Sequence, residues 1–297
     1  MSERVTIAIV AGSGLYELGG LTAGQTLEIA TPFGQPSDPI VVGSWGGQRV
    51  AFLSRHGAGH RLLPSEINHR ANVFALKTLG VERILAVSAV GSMREEIRPR
   101  QVVAVDQFVD RAAHRPATFF GEGLVAHVAF ADPVCPQTRE TLVRAARACD
   151  VEVHEAGTYL CIEGPAFSTR AEARLYRSWG IDVIGMTNVP EAKLAREAEI
   201  CYATLALVTD FDCWHLDEDD VSVGNVLDNL RANRAAAARV LGEAVRLLPP
   251  RGAGCTCADA LKDAFLTSRE AAPPEVVERL GPIVGRYFGR EQRGRRP

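Results

Sequence analysis

Short apolar runs rich in β-branched residues alternate with helical patterns along this 297-residue chain, and this alternation constrains the fold more than any other feature. It predicts an α/β protein with a largely buried sheet. The predicted strands are residues 5–10, 40–42, 49–54, 83–88, 101–109, 158–162, 182–185 and 202–209. No internal repeat interrupts the pattern, so we expect one main domain.

Helix start and stop signals lie between several of these strands. Residues 65–79, between a proline and a glycine, fit a helix. Residues 188–199 open with Asn188 and place Glu191 three positions on, which predicts a variant of the capping box. A long helical pattern runs to Leu248, where two prolines end it.

The segment after these prolines has two weaker helical patterns, residues 258–269 and 274–287. We therefore expect a main domain over residues 1–250 and a helical C-terminal extension over residues 251–297. The extension ends in a locally basic tail, which is interpreted as a frayed, solvated terminus.

Composition excludes several classes of function. The chain is 46% hydrophobic and carries a formal net charge of −3, which is ordinary for a globular protein and gives no global attraction to nucleic acid or anionic membrane. Its longest apolar runs are strand-sized, and the N-terminal run is too short for a secretory signal. A cytoplasmic location is expected, with no nucleic-acid or membrane partner.

The seven cysteines leave two readings open. Most stand alone in apolar contexts, as Cys161 and Cys201 do, and are expected to be buried free thiols. Cys255 and Cys257 form a C-x-C pair, whose spacing is tighter than that of usual zinc ligands. This pair is either a disulfide, structural or redox-active, or two reduced surface thiols.

Two turns after predicted strands have the composition of anion sites. The first contains Ser13 between two glycines, which leave backbone N–H groups accessible. A dinucleotide fingerprint fails there, because Glu17 stands where the third glycine is needed. The second turn contains Ser88 and Ala89 and has the same character.

A basic loop follows a third strand. Arg55 offers a fork of charged donors, and His56 is expected to add another, so the pair suits an oxyanion. His56 and His60 have the i,i+4 spacing of metal ligands, but intervening glycines disfavour the helix that this geometry requires. No metal site is therefore expected.

Four further blocks identify a family resemblance. E-G-P-A-F-S-T-R-A-E at residues 163–172 and M-T-N-V-P-E at residues 186–191 resemble blocks of the purine nucleoside phosphorylases. T-D-F-D-C-W at residues 209–214 and T-P-F-G-Q-P-S at residues 31–37 are similar to those of the S-methyl-5'-thioadenosine phosphorylase subfamily. The blocks occur in the family's order. The resemblance implies a single domain with a twisted, mixed central sheet flanked by helices.

The resemblance also implies the reaction, in which phosphate displaces adenine from S-methyl-5'-thioadenosine without a metal or organic cofactor. Phosphate must lie on the far side of the anomeric carbon, and the purine must leave with a proton or strong hydrogen bond on N7. The implied phosphate ligands are Ser13, Arg55, His56, Ser88, Ala89 through its N–H, and Thr187.

The same resemblance assigns the nucleoside contacts. Asp210 and Asp212 would face the base, because a carboxylate accepts from the 6-amino group and, once protonated, donates to N7. Asparagine is expected at the position of Asp210 in enzymes for 6-oxopurines. The other implied contacts are Met186 under the ribose, Phe167 near the base, and the specificity residues Ser168, Val223 and Leu227.

The resemblance further implies a homotrimer or homohexamer, in which His127 closes the neighbouring subunit's pocket. Gly185 departs from the pattern, since some members carry asparagine there. The competing readings are a 6-oxopurine phosphorylase, a nucleoside hydrolase, a nucleoside-binding sensor without catalysis and, weakest, a dinucleotide-dependent dehydrogenase. His215 lies near the site in sequence and leaves adenosine or 5'-deoxyadenosine open as the substrate.

Overall fold

The computed structural model describes residues 4–12, 21–215, 223–252 and 255–289, and the statements below refer to these ranges. They contain one mixed sheet of eleven strands. The strands are β1 (Ile7–Ala11), β2 (Thr22–Leu27), β3 (Ile40–Trp45), β4 (Gln48–Ser54), β5 (Arg83–Ser92), β6 (Val102–Ala104), β7 (Gln107–Asp110), β8 (Val153–His154), β9 (Thr158–Cys161), β10 (Val183–Gly185) and β11 (Cys201–Asp210). The predicted α/β class and mixed central sheet are confirmed.

The centre of the sheet is parallel and buried on both faces. β1 lies between β4 and β5, β5 also pairs with β11, and all four strands run in the same direction. β11 is buried along nearly its whole length, as expected for a strand covered by helices on both faces. Because parallel strands end at one edge, the residues that follow β1, β4 and β11 meet there.

Seven helices cover the two faces of the sheet within the described ranges. They are α1 (His69–Thr78), α2 (Pro136–Ala148), α3 (Arg170–Ser178), α4 (Asn188–Glu197), α5 (Val223–Leu247), α6 (Pro274–Arg279) and α7 (Gly281–Phe288). Residues of α1, α4, α6 and α7 share one apolar core cluster, and residues of α2 and α5 share another. None of these helices combines the length and apolar character that a membrane crossing requires.

Several predicted elements differ in their bounds or type. The helix predicted at residues 65–79 begins only at His69, and the strand predicted at residues 101–109 is two short strands. The helix predicted at residues 258–269 is wrong. A single short 3-10 turn, Cys257–Asp259, is followed there by irregular chain. The predicted helix at residues 274–287 is broken into two where Pro282, which lacks an N–H, begins a new turn.

The predicted capping box at α4 is wrong. Thr187 is the N-cap residue and makes no side-chain cap, whereas Asn188 lies inside the helix and donates from its amide to the Tyr202 hydroxyl. Glu191 is turned inward and pairs with Arg55. A capping box does occur one helix earlier, at α3, where Thr169 and Glu172 satisfy each other's backbone N–H groups.

The C-terminal segment packs into the same core as the sheet. Leu261, Leu280 and Ile283 belong to the cluster that also contains the α1 side chains. Glu199 anchors this segment: its buried carboxylate accepts from the Leu261 N–H, from Arg286 and from the Tyr287 hydroxyl. The domain boundary predicted at residue 250 stays a prediction.

Candidate active site

A cavity of about 630 Å³ opens at the carboxyl edge of the central strands. It brings together most of the residues that the sequence nominated. The nominated residues in its lining are Arg55, His56, Ser88, Ala89, Phe167, Ser168, Met186, Thr187, Asp210, Asp212 and Leu227. Ser13 and the Val223 side chain lie outside the described residues, and His127 is an exposed residue away from the cavity lining.

Arg55 follows β4 and is completely buried. Its Nε and Nη2 each donate to the Glu191 carboxylate at 2.8 Å, and Nη1 donates to the Val87 carbonyl at 2.9 Å. Burial opposes the charge, yet the Glu191 carboxylate raises the pKa of Arg55 above its ordinary value. Nη1 lies close to Gly12, where a Cβ would sit 3.4 Å from it. Glycine at this turn therefore lets the chain approach a fixed positive charge.

His56 is held as a neutral ring. Its Nδ1 lies 2.8 Å from the Leu62 carbonyl oxygen, which only accepts, so Nδ1 carries the proton and Nε2 is left as an acceptor. Burial lowers the pKa of His56 to about 4, and the nearby His60 and Arg55 add to this effect. The sequence predicted a further donor to an oxyanion here; the neutral ring instead leaves Nε2 as an acceptor.

Tyr159 joins the two nominated hydroxyl residues. Its hydroxyl lies 3.3 Å from the Ser88 Oγ and 3.4 Å from the Thr187 N–H, and burial raises its pKa to about 12. The same hydroxyl occupies the space that a Cβ at Gly185 would need, which explains why glycine precedes Met186. Tyr159 was missed from sequence because an apolar strand residue gives no sign of a polar contact at its far end.

Asp210 ends β11, and its carboxylate is held from two sides. Thr209 Oγ1 donates to Oδ2 at 2.6 Å, and the Asp212 N–H donates to Oδ1 at 2.8 Å. A Cβ at Gly91 would lie 2.7 Å from Oδ1, so the neighbouring strand requires a residue without a side chain at that position. Burial raises the pKa of Asp210 above its ordinary value, which favours the protonated form that an acid requires.

Asp212 holds a buried carboxyl group beside the cavity. The Ser168 hydroxyl, which also lines the cavity, hydrogen-bonds this carboxyl group and on its own lowers the pKa of Asp212. Burial raises the pKa of Asp212 to about 6, and the charge of Asp210 adds to the rise. A buried carboxyl group with a raised pKa at the edge of a cavity is suited to bind and protonate a ligand.

A second buried arginine holds the loop around Met186. Arg115 donates to the Glu163 carboxylate at 3.1 Å, to the Glu163 carbonyl and to the Met186 carbonyl. Glu163 thus contacts the arginine that fastens Met186. Arg115 itself was missed, since an arginine in a polar loop resembles a solvated surface residue.

One wall of the cavity is apolar and comes from helix α5. Val226 and Leu227 line it together with Ile184 and Phe167. Phe167 is 44% exposed, which is unusual for so large an apolar side chain and leaves its ring accessible from the cavity. His215 instead packs its ring on Phe211 and is not among the lining residues described. The cavity thus combines a charged end, a carboxyl pair and an apolar wall.

Comparison with known proteins identifies the family. The sequence profile of the phosphorylase superfamily matches residues 6–246. The S-methyl-5'-thioadenosine phosphorylase of Geobacter sulfurreducens is 55% identical over 282 residues, which cover 95% of this chain and 98% of that one.

Solved structures of similar proteins have the same fold. A methylthioadenosine phosphorylase from an antarctic soil metagenomic library superposes with a TM-score of 0.89 at 50% identity, covering 95% of this chain and 99% of that one. The methylthioadenosine phosphorylase of Schistosoma mansoni, solved in complex with adenine, gives a TM-score of 0.82 at 38% identity, covering 87% and 96%.

These matches define the class of protein to which the chain belongs. The chain belongs to the phosphorylase superfamily. Because it matches pentosyl-transferring phosphorylases over nearly its full length, it is a pentosyltransferase. Within that class, the chain is similar over nearly its full length to S-methyl-5'-thioadenosine phosphorylases.

Proposed function

We propose that this protein catalyses the phosphorolysis of S-methyl-5'-thioadenosine to adenine and 5-methylthioribose 1-phosphate. One observation carries the proposal: two carboxyl groups with raised pKa values share a cavity with a buried arginine and an apolar helix wall. A purine, a phosphate and an apolar 5' group each find a complementary surface there. The relatives' names point to the same substrate.

The phosphate lies at the charged end in this proposal. Arg55 supplies a permanent positive charge, Ser88 and Thr187 supply hydroxyl groups, and Ala89 supplies its N–H. His56 accepts from the protonated phosphate oxygen. Ser13 contributes a further hydroxyl by resemblance. The bound anion is both the nucleophile and the electrostatic partner of the cationic ribose, so the reaction requires no metal or organic cofactor.

Asp210 and Asp212 face the purine edge in this proposal. One carboxylate accepts from the 6-amino group while the other, protonated, donates to N7 as the bond to ribose breaks. The two groups lie close enough to titrate as a pair, since the Asp212 N–H bonds to the Asp210 carboxylate. Phe167 and Met186 pack on the base and ribose, and Ser168 tunes specificity near Asp212.

The pH dependence of catalysis tests the acid. Because the protonated form of Asp212 is the active one and its pKa is about 6, kcat/KM at saturating phosphate should fall as the pH rises above that value. In Asp212→Asn this alkaline limb should be lost, together with most of the activity. An unchanged limb in the variant would remove Asp212 from the acid role.

The apolar wall tests the choice of 5' group. Leu227→Asn should lower kcat/KM for S-methyl-5'-thioadenosine about 10-fold to 200-fold relative to adenosine, because the methylthio group loses an apolar contact. Leu227→Met, which keeps the wall apolar, is the matched control and should change the ratio little. An equal loss for both nucleosides in Leu227→Asn would contradict a role in 5' recognition.

We also propose a cytoplasmic homotrimer or homohexamer in which His127 reaches the neighbouring pocket. Val125 and Leu266 support this, because both are exposed apolar residues joined by a backbone hydrogen bond beside His127. Val223, at the start of α5, completes the 5' pocket by resemblance. Light scattering of the purified protein tests the assembly, and a monomer would contradict it.

A nucleoside panel tests the proposed substrate. Initial rates of base release at saturating phosphate should rank S-methyl-5'-thioadenosine above adenosine and 5'-deoxyadenosine, with inosine far below. Release of hypoxanthine from inosine, without release of adenine from the thioadenosine, would assign a 6-oxopurine phosphorylase instead.

A further inference from the structure

Four cysteines from three distant parts of the chain meet at the opposite end of β11 from the active site. Cys135 precedes α2, Cys201 begins β11, and Cys255 and Cys257 belong to the segment after α5. All four sulfur atoms lie within 4.8 Å of one another. The C-x-C pair is therefore not two surface thiols: Cys257 is buried and Cys255 is half-buried among the other sulfurs.

The sulfur separations suit a shared metal ion. Sγ of Cys255 lies 3.8 Å from that of Cys135 and 3.2 Å from that of Cys201, beyond the roughly 2.05 Å of a disulfide bond. Thiolates at about 2.3 Å from a central zinc occupy a tetrahedron whose edges are about 3.8 Å. Four sulfurs within 4.8 Å leave room for one ion and no cluster.

The surroundings favour a closed site of four thiolates. Cys135, Cys201 and Cys257 are each at most 4% exposed and Cys255 is half-buried, and four protein thiolates complete the coordination of a structural zinc ion. Cys135 is the N-cap residue of α2, and the positive end of a helix stabilises a thiolate. Arg251 stands shortly before Cys255 in sequence and donates to the carbonyl of Glu199, which stands two residues before Cys201.

The geometry points to a structural zinc site formed by Cys135, Cys201, Cys255 and Cys257, which fastens the C-terminal segment to the central sheet. The four thiols release their protons to solvent when zinc binds, and no oxidant or reductant is involved. No metal was predicted from the sequence, because the spacing of Cys255 and Cys257 by themselves is tighter than that of usual zinc ligands. Two of the four ligands become neighbours only through the fold.

The site is remote from catalysis. Asp210 and Cys201 stand at opposite ends of a ten-residue strand, which spans roughly 30 Å at about 3.3 Å per residue. Zinc is therefore expected to support stability rather than turnover. This proposal does not depend on the proposed reaction.

Metal analysis of untagged protein, purified with a phosphine reductant and without chelator, tests the site. We expect one zinc per chain by elemental mass spectrometry in the wild type. Zinc content should fall to background in Cys255→Ser. The control Cys149→Ser, a half-buried cysteine outside the cluster, should retain full occupancy. Replacing zinc with cobalt should give the visible absorption of a tetrahedral tetrathiolate complex.

Chelation separates structure from activity. Removal of zinc should lower the midpoint of thermal unfolding while kcat at low temperature stays within about 2-fold of the wild type. Zinc-free wild-type protein, or disulfide-linked Cys135, Cys201, Cys255 or Cys257 peptides after purification under reductant, would overturn the proposal. If Cys255→Ser fails to fold, the wild-type zinc content and the cobalt spectrum still decide it.

Discussion

Asp210→Asn is expected to lower kcat/KM for S-methyl-5'-thioadenosine about 100-fold to 10,000-fold and to shift preference toward inosine. With Asp212 as the acid at N7, Asp210 is the carboxylate that accepts from the 6-amino group, and the NH₂ group of an asparagine faces that group donor to donor. The same NH₂ group can donate to O6 of a 6-oxopurine. The fold should survive, because the amide oxygen still accepts from the Asp212 N–H.

Competition between the two nucleosides in one reaction measures this shift directly. Asp228→Asn is the matched control, since Asp228 is an exposed aspartate on α5 whose only described ion pair is with exposed Arg231. It should leave both rates unchanged. Unaltered selectivity in Asp210→Asn, with normal unfolding behaviour, would show that Asp210 does not read the base.

Glu191→Gln is expected to destabilise the protein by about 3–5 kcal/mol, because it removes the carboxylate that compensates a fully buried guanidinium. Arg55 makes two hydrogen bonds to that carboxylate, and an amide of the same shape lacks the charge and keeps only one of the two acceptor oxygens. The KM for phosphate should rise more than that for the nucleoside, since Arg55 loses its fixed orientation at the charged end of the cavity.

Denaturant unfolding of Glu191→Gln and Glu243→Gln measures the effect of burial. Glu243 also pairs with an arginine, Arg246, but on the exposed face of α5 with i,i+3 spacing. That pair is expected to contribute little to stability, because solvent screens an exposed ion pair. Similar losses in the two variants would contradict the importance of the buried pair.

The fold class and the members of the site were accessible from sequence because both depend on local patterns. Apolar runs predicted the central strands, the basic loop placed Arg55 after one of them, and the family blocks supplied Thr187 and Asp210. The parallel arrangement of β1, β4, β5 and β11 then brings the turns with Arg55 and Asp210 to one edge, where β10, antiparallel to β5, adds Thr187. Helix α2, although amphipathic, was not predicted from the sequence.

Contacts between residues that are far apart in the sequence were not predicted. Glu191 matches a capping signal, and only the fold shows that Arg55, 136 positions earlier, is the stronger partner. Tyr159 and Arg115 give no local sign of the groups that they hold. The cysteine cluster is the same case, since Cys135 and Cys255 are 120 positions apart. Each is a tertiary pairing of buried polar or thiol groups.

Incubation of the purified protein with S-methyl-5'-thioadenosine, with and without inorganic phosphate, tests the central claim most directly. Chromatography should show adenine released only when phosphate is present, together with an equal amount of 5-methylthioribose 1-phosphate. Adenine and free methylthioribose released without phosphate would mean that water is the nucleophile. The phosphate site built around Arg55 and His56 would then have been misinterpreted.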